Sequence, residues 1–166
     1  MILALLLAAA PAPIELSRVV PAKPDAVWAA WTTSAGTKTF FAPDAKVEAK
    51  PGGAYEQYFV PSLPLGQRGS EGCTVVSADP GKKLVFTWNF PPSLPKLRDA
   101  RVLTHVAITL TAEGGGTKVQ LSHFGFPEGA DSEKGRAYFD RAWGHVLARL
   151  ERSFRRGPID WKYTWV

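Results

Sequence analysis

The sequence predicts an α+β domain in which an antiparallel sheet with one apolar face lies under a single long C-terminal helix. Three observations carry this expectation. Segments 83–90, 102–111 and 118–124 alternate apolar and polar side chains with the period of two that a strand imposes. Glycine- and proline-rich turns at 51–53 (PGG), 78–83 (ADPGKK) and 113–116 (EGGG) fall between candidate strands, as in a run of hairpins. Near the C-terminus the period becomes helical: Trp143, Val146, Leu147, Leu150 and Phe154 share one side, and Arg141, His145, Arg149, Arg152 and Arg156 the other.

In chain order, IELSRVVP at 14–21 has the β-branched content of a strand. Pro24 and Asp25 then open a helix, with Pro suited to the first turn and Val27, Trp28 and Trp31 on its apolar side. A second short helix is expected over 34–41, ending in Phe40 and Phe41 before Pro43. Strands are expected at 45–50, 54–60, 69–77, 83–90, 102–111 and 118–124, joined as an antiparallel meander. Leu84, Phe86, Trp88 and Phe90 lie on one side of their strand. Thr104, Val106, Ile108 and Leu110 do so on the next, and Val119, Leu121 and His123 follow the same parity. The closing helix is expected to start near Ser132 as its N-cap and to stop at Gly157–Pro158. About 24 residues at 1.5 Å each make roughly 36 Å, enough to cross the sheet. Two connections, VPSLPLG at 60–66 and FPPSLPKL at 90–97, are proline-rich and unusually apolar.

At 166 residues the chain is expected to form one domain, residues 14–160, with a leader at 1–13 and a tail at 161–166. The leader's unbroken apolar run, 2–10, is too short to span a bilayer and has the length of a signal-peptide core. A periplasmic or secreted protein is the expectation, with a cytoplasmic one carrying a loose extension as the alternative. A single cysteine, Cys73, rules out an internal disulfide and reads as a buried, inert thiol. The net charge of +5 is concentrated towards the last helix and tail. It carries no nucleic-acid motif, so no nucleic-acid partner is expected. A membrane or protein partner would use Arg141, Arg149, Arg152 and Arg156, although a solvated helix face is the plainer reading.

The motifs narrow the fold. VWAAWT at 27–32, FFAPDAKVEAKPGGAYEQYF at 40–59, GCTVVSADPGKKLVFTW at 72–88, TKVQLSHFGFP at 117–127 and WGHVLARLERSF at 143–154 resemble, in order and spacing, the family named for homology to the activator of the heat-shock-protein-90 ATPase. That family lies within the START-like (SRPBCC, birch-pollen-allergen-like) superfamily. The resemblance spans about residues 14–160. It implies the helix-grip fold, a curved antiparallel sheet wrapped around a long C-terminal helix with two short helices after the first strand. Fold kinship leaves function open, because superfamily members bind lipids, hormones and aromatic metabolites, some catalyse reactions, and one branch assists a chaperone.

A helix laid across a curved sheet leaves space beneath it, and the large side chains facing that space are the candidate lining of a pocket. They are Trp31, Phe41, Tyr55, Phe86, Trp88, Val106, Leu121, His123, Trp143 and Leu147. The expected partner is a small hydrophobic or aromatic molecule, its polar end met by His123 and Tyr55. The alternatives are a protein-interaction module resembling chaperone-ATPase activators, and a cofactor-free enzyme using His123 as acid or base. His123 also reads, more simply, as a core histidine bonded to protein groups. Glu56 and Glu71 lie on central strands where two carboxylates could approach one another, although solvated strand residues are the plainer reading. No phosphate loop, GxSxG elbow or HExxH helix is present, so neither cofactor nor metal is expected and nothing compels an enzyme.

Overall fold

The computed structural model describes residues 9–163. The apolar run behind the export expectation lies almost wholly outside them, as do the last three residues. The elements run β1 (Ile14–Val20), α1 (Pro24–Thr32), α2 (Ser34–Thr37), β2 (Asp44–Val47), β3 (Tyr55–Tyr58), β4 (Val75–Asp79), β5 (Lys83–Asn89), α3 (Pro95–Asp99), β6 (Leu103–Glu113), β7 (Gly116–Phe124) and α4 (Ala130–Arg156). Five strands form one antiparallel sheet in the order β1-β7-β6-β5-β4. β2 and β3 pair separately and reach the segment before β4 through single bridges, Ala54 with Thr74 and Tyr58 with Gly69. α4 packs along the apolar face of the sheet, which makes this the expected helix-grip fold.

The alternation read from the sequence sets the layers. Register carries one row of inward residues across the sheet, Ile14–His123–Val106–Phe86–Val75, and a second row, Leu16–Leu121–Ile108–Leu84–Ala78. The β6–β7 turn holds that register with two residues, Gly114 (φ 56) and Gly115 (φ 81), between the paired Glu113 and Gly116. Both angles lie in the left-handed region, where a side chain is strained, and consecutive positive φ values match the right-handed twist of the strands.

β2 and β3 are shorter than the expected strands 45–50 and 54–60, and four further features differ from the sequence expectation. Of the expected strand 69–77 only 75–77 is regular, and it continues to Asp79, because Gly72 at φ 83 breaks the extended backbone and 69–74 makes isolated bridges. The connection 90–97 runs into a short helix, α3, with Pro95 in its first turn. α2 spans only Ser34–Thr37, capped by Thr33 Oγ1 accepting from Gly36 N (2.9 Å), and the amides of Phe40 and Phe41 then bond back to Thr37 O. Ser132 is not the N-cap of α4: Gly129 occupies that position, and Ser132 is buried inside the first turn. Asp131 and Glu133 still place negative charge at the positive end of the helix dipole.

α4 is 27 residues long, about 40 Å at 1.5 Å per residue. Its buried positions, Gly135, Phe139, Trp143, Val146, Leu147 and Leu150, repeat at three and four and form one stripe. At its N-terminal end Gly135 lets the helix backbone close onto Phe90 and Leu94. A Cβ there would sit 2.6 Å from Phe90 Cε1 and 3.2 Å from Leu94 Cδ1. At the other end the chain turns back, and Ile159 N bonds to Thr39 O (2.9 Å) while Trp161 Nε1 bonds to Lys38 O (2.7 Å). Among the described residues no helix is long and apolar enough to cross a membrane.

Gly135→Ala is expected to lower stability by about 1–3 kcal/mol, since the new methyl must displace the fully buried Phe90 ring. An exposed helix position would instead gain about 1 kcal/mol from the same change. Urea unfolding of the two proteins measures the sign.

Candidate functional site

All ten expected lining residues meet in one interior between the sheet, α1 and α4, and each is at most 4% exposed. α1 brings Trp31 and the turn after α2 brings Phe41. β5 brings Phe86 and Trp88, and α4 brings Trp143 and Leu147. The rings form a continuous web. Phe41 touches Trp31 (centroids 5.7 Å apart), Trp88 (5.7 Å) and Trp143 (5.5 Å), Trp88 and Trp143 are 5.2 Å apart, and Tyr55 stacks on Phe86 at 4.0 Å. Such edge and offset contacts add to the apolar burial of each ring.

The open space expected beneath α4 is closed by this web. Two open recesses among the described residues lie elsewhere. One, of about 400 Å³, is lined by Gly66, Glu71, Gly72, Asn89, Arg98, Arg101 and Leu103. The other, of about 340 Å³, lies between the end of β1 and the β6–β7 turn. The reason is volume: Phe41, from the turn after α2, and Trp143, from α4, meet edge to face.

His123 is the polar centre of the interior, and its hydrogen bonds are complete. Trp143 Nε1–H donates to His123 Nδ1 (2.9 Å), which leaves the ring proton on Nε2. Nε2–H then donates to Thr104 Oγ1 (2.6 Å), and the Thr104 hydroxyl donates to the Trp88 carbonyl (3.1 Å). Phe126 and Phe139 close over the imidazole, with centroids at 4.5 and 4.8 Å. Burial, reinforced by repulsion from His105, lowers the His123 pKa to about 3. A protonated ring would also turn a second N–H against that of Trp143. His123 is therefore neutral and fully engaged near neutral pH, which is the plainer of its two sequence readings and removes it as an acid–base catalyst or a free ligand anchor. Tyr55 is spent as well, its hydroxyl donating to Trp31 O at 3.0 Å, and burial holds its pKa well above the usual phenol value.

Among the described residues four buried side-chain atoms are unpaired: Ser132 Oγ in the first turn of α4, and three atoms elsewhere in the interior. Gln57 is fully buried, and neither its Nε2 nor its Oε1 has a hydrogen-bond partner; Trp31 Nε1 has none either. Gln57 sits on the inward face of β3 between Tyr55 and Phe59, whose rings touch Phe86 and Trp88. An unpaired buried amide or indole costs about 1–3 kcal/mol, so three such atoms in one apolar interior call for an explanation. The sequence expectation missed Gln57. The signal that finds it is parity, since Tyr55, Gln57 and Phe59 alternate onto one face.

The remaining candidates have structural roles. Glu56 accepts from Gly72 N (2.7 Å) and from the Tyr58 hydroxyl, whose pKa is raised by burial and by this bond to the carboxylate. Glu71 accepts from the amides of Gly66, Arg68 and Gly69. The two carboxylates thus fasten the 60–72 loop. Cys73 is buried, and burial pushes its thiol up to about 12, so no thiolate is available for chemistry. On α4, Arg149 is half-buried, its guanidinium 5.5 Å from the centroid of Trp161, and Arg155 pairs with Glu151 at 3.0 Å. Arg141, Arg152 and Arg156 remain exposed. Among the described residues no three His, Cys, Asp or Glu side chains are grouped to hold a metal ion.

Residues 21–155 match the family described as Activator of Hsp90 ATPase homolog 1-like protein. The chain belongs to that family. This Hsp90-activator-like membership agrees with solved structures of the same fold. A Mesorhizobium loti protein superposes with a TM-score of 0.70 at 20% identity, over 89% of this chain and all of the other. An Aha1 dimer from Colwellia psychrerythraea gives 0.66 at 20% identity, over 89% and 98% of the two chains. An AHSA1-like protein of Rhizobium etli gives 0.61 at 23% identity, over 95% and 92%. No curated protein matches the chain significantly.

The His123 relay makes the stability of this Hsp90-activator-like domain pH-dependent. The unfolded imidazole takes up a proton near pH 6.5, whereas the folded one stays neutral down to about 3. The stabilisation is complete above the unfolded value and is lost as pH falls below it. Between pH 7.5 and 5 this amounts to about 2 kcal/mol. Urea unfolding across that range is expected to show the loss in the wild type and not in His123→Gln, whose amide keeps one acceptor and one donor but does not titrate.

Proposed function

We propose that the chain binds a small hydrophobic or aromatic molecule in the interior between the sheet and α4, entered by local opening of the ring web. The observation that carries this reading is the unpaired Gln57 amide, fully buried among aromatic rings with the unpaired Trp31 indole N–H in the same interior. An occupant with a carbonyl and an N–H or O–H would satisfy both ends of the Gln57 amide. Its apolar body would gain on the order of 25 cal/mol per Å² removed from water. Gln57 thus replaces His123 and Tyr55 as the polar anchor. Family membership supports a binding role, because this fold commonly accommodates hydrophobic ligands.

The second reading is a protein-interaction module like the chaperone-ATPase activators that name the family. It would use the exposed Arg141, Arg152 and Arg156. Gln57→Leu separates the two. With no unpaired amide to bury, the variant is expected to be about 1–3 kcal/mol more stable than the wild type. It is also expected to lose the thermal shift that an aromatic carboxamide probe, naphthalene-2-carboxamide, gives the wild type. If the probe shifts neither protein and native mass spectrometry of the purified wild type finds no bound molecule, the interaction module is the better reading.

The apolar run at 2–10 supports a periplasmic or secreted location. N-terminal sequencing of the mature protein from fractionated cells is expected to begin after the run. Intact Met1 in the cytosol would reverse the assignment.

A further inference from the structure

The 60–66 connection keeps its apolar side chains in water although it is firmly built. Leu65 is 80% exposed, and Val60 and Leu63 are each more than a third exposed. The loop is nevertheless tied down from several directions. Phe59 and Val60 amides bond to Arg68 O (2.8 and 3.1 Å), and Arg68 Nε bonds to Leu63 O (2.8 Å). Arg98 of α3 clamps it from beneath, donating to Gly66 O (2.6 Å), Gly69 O (2.9 Å) and Phe90 O (2.7 Å). The chain has the hydrogen bonds to hold this segment against the domain, yet the leucines point away. An ordered, exposed apolar tip of this kind marks a contact surface.

Charge and size identify the partner. Arg98 and Glu71 neutralise each other in an almost buried pair at 3.9 Å, so the free charge on this side is Arg68 within the loop and Lys96 and Arg101 on and after α3, with Arg101 sharing a recess with Gly66, against Asp99 alone. Lys96 and Arg101 are exposed on α3 and at its end. Three leucine and valine side chains at a projecting tip fall far short of the roughly 800 Å² per partner that a stable protein interface uses. A few inserting apolar side chains with cations beside them are what an anionic bilayer surface holds.

We propose that the 60–66 tip and the cationic α3 dock this domain on an anionic membrane surface. Docking would bring the Phe59 edge of the aromatic interior next to lipid, since Phe59 follows β3, is partly exposed and touches both Phe41 and Trp88.

Co-sedimentation with vesicles tests this. The wild type is expected to pellet with phosphatidylglycerol–phosphatidylcholine vesicles, not with pure phosphatidylcholine, and to be released by about 0.5 M salt, where the Debye length is only a few ångströms. Leu65→Asp changes an exposed side chain and so leaves the fold intact, as circular dichroism checks. It should weaken binding about tenfold by withdrawing a leucine from the interface. Lys96→Glu with Arg101→Glu should weaken binding by at least as much, and Arg152→Glu with Arg156→Glu on α4 should leave it unchanged. Gln57→Leu should also bind vesicles normally, so docking and interior binding fail independently. Absence of wild-type binding to the anionic vesicles overturns the proposal. So does undiminished binding by Leu65→Asp, or a loss caused by the α4 pair instead.

Discussion

The indole N–H of Trp143 and the imidazole of His123 meet 2.9 Å apart where α4 crosses the sheet, and neither side chain is more than 2% exposed. Both groups are polar and neither can turn to water, so any slip of α4 along the sheet would leave two buried groups unpaired. The relay continues through Thr104 to the backbone of β5 and joins helix, β7, β6 and β5 by three hydrogen bonds. Apolar packing alone tolerates sliding of a helix over a sheet; directional bonds in a low-dielectric interior do not. The ring web around Phe41, Trp88 and Trp143 is positioned by this tie.

The same interior holds polar groups of two kinds. His123, Thr104 and Tyr55 are satisfied by protein partners, so they stabilise the domain and offer nothing to a guest. Gln57 and the Trp31 indole carry the cost of burial without its compensation. The proposed binding role rests on this asymmetry, since an occupant that repairs the unpaired atoms recovers free energy the empty domain forgoes. The closed web means that such an occupant would have to displace rings, so the proposed binding would be coupled to local opening.

Polar side chains outside the interior serve mainly as fasteners. Glu71 gathers three loop amides, Glu56 holds Gly72 and Tyr58, and Arg98 draws the carbonyls of two loops onto α3. Charged groups at sites that look catalytic in one dimension are here spent on backbone atoms that hairpin pairing leaves free. The result is a rigid frame at one end of the sheet, from which the 60–66 tip projects. At the other end, Trp161 and Ile159 tie the chain after α4 to the turn that carries Phe40 and Phe41.

Much of this was legible in the chain. Alternation in β5, β6 and β7, paired glycines at the β6–β7 turn and the helical stripe of α4 each express a local rule, so fold class and inward-facing set follow from sequence. All ten expected lining residues do share one interior. Boundaries set by tertiary contact were not legible. Ser132 reads as a cap but is drawn inside the helix. Residues 69–74 read as strand but are bent by Gly72, and the 90–97 connection runs into α3. The state of each polar group was likewise decided only by the fold. Which nitrogen of His123 carries the proton, and whether Gln57 finds a partner, depend on atoms brought together from distant segments. Periodicity tells a side chain which way to face; only three-dimensional packing determines what it meets there.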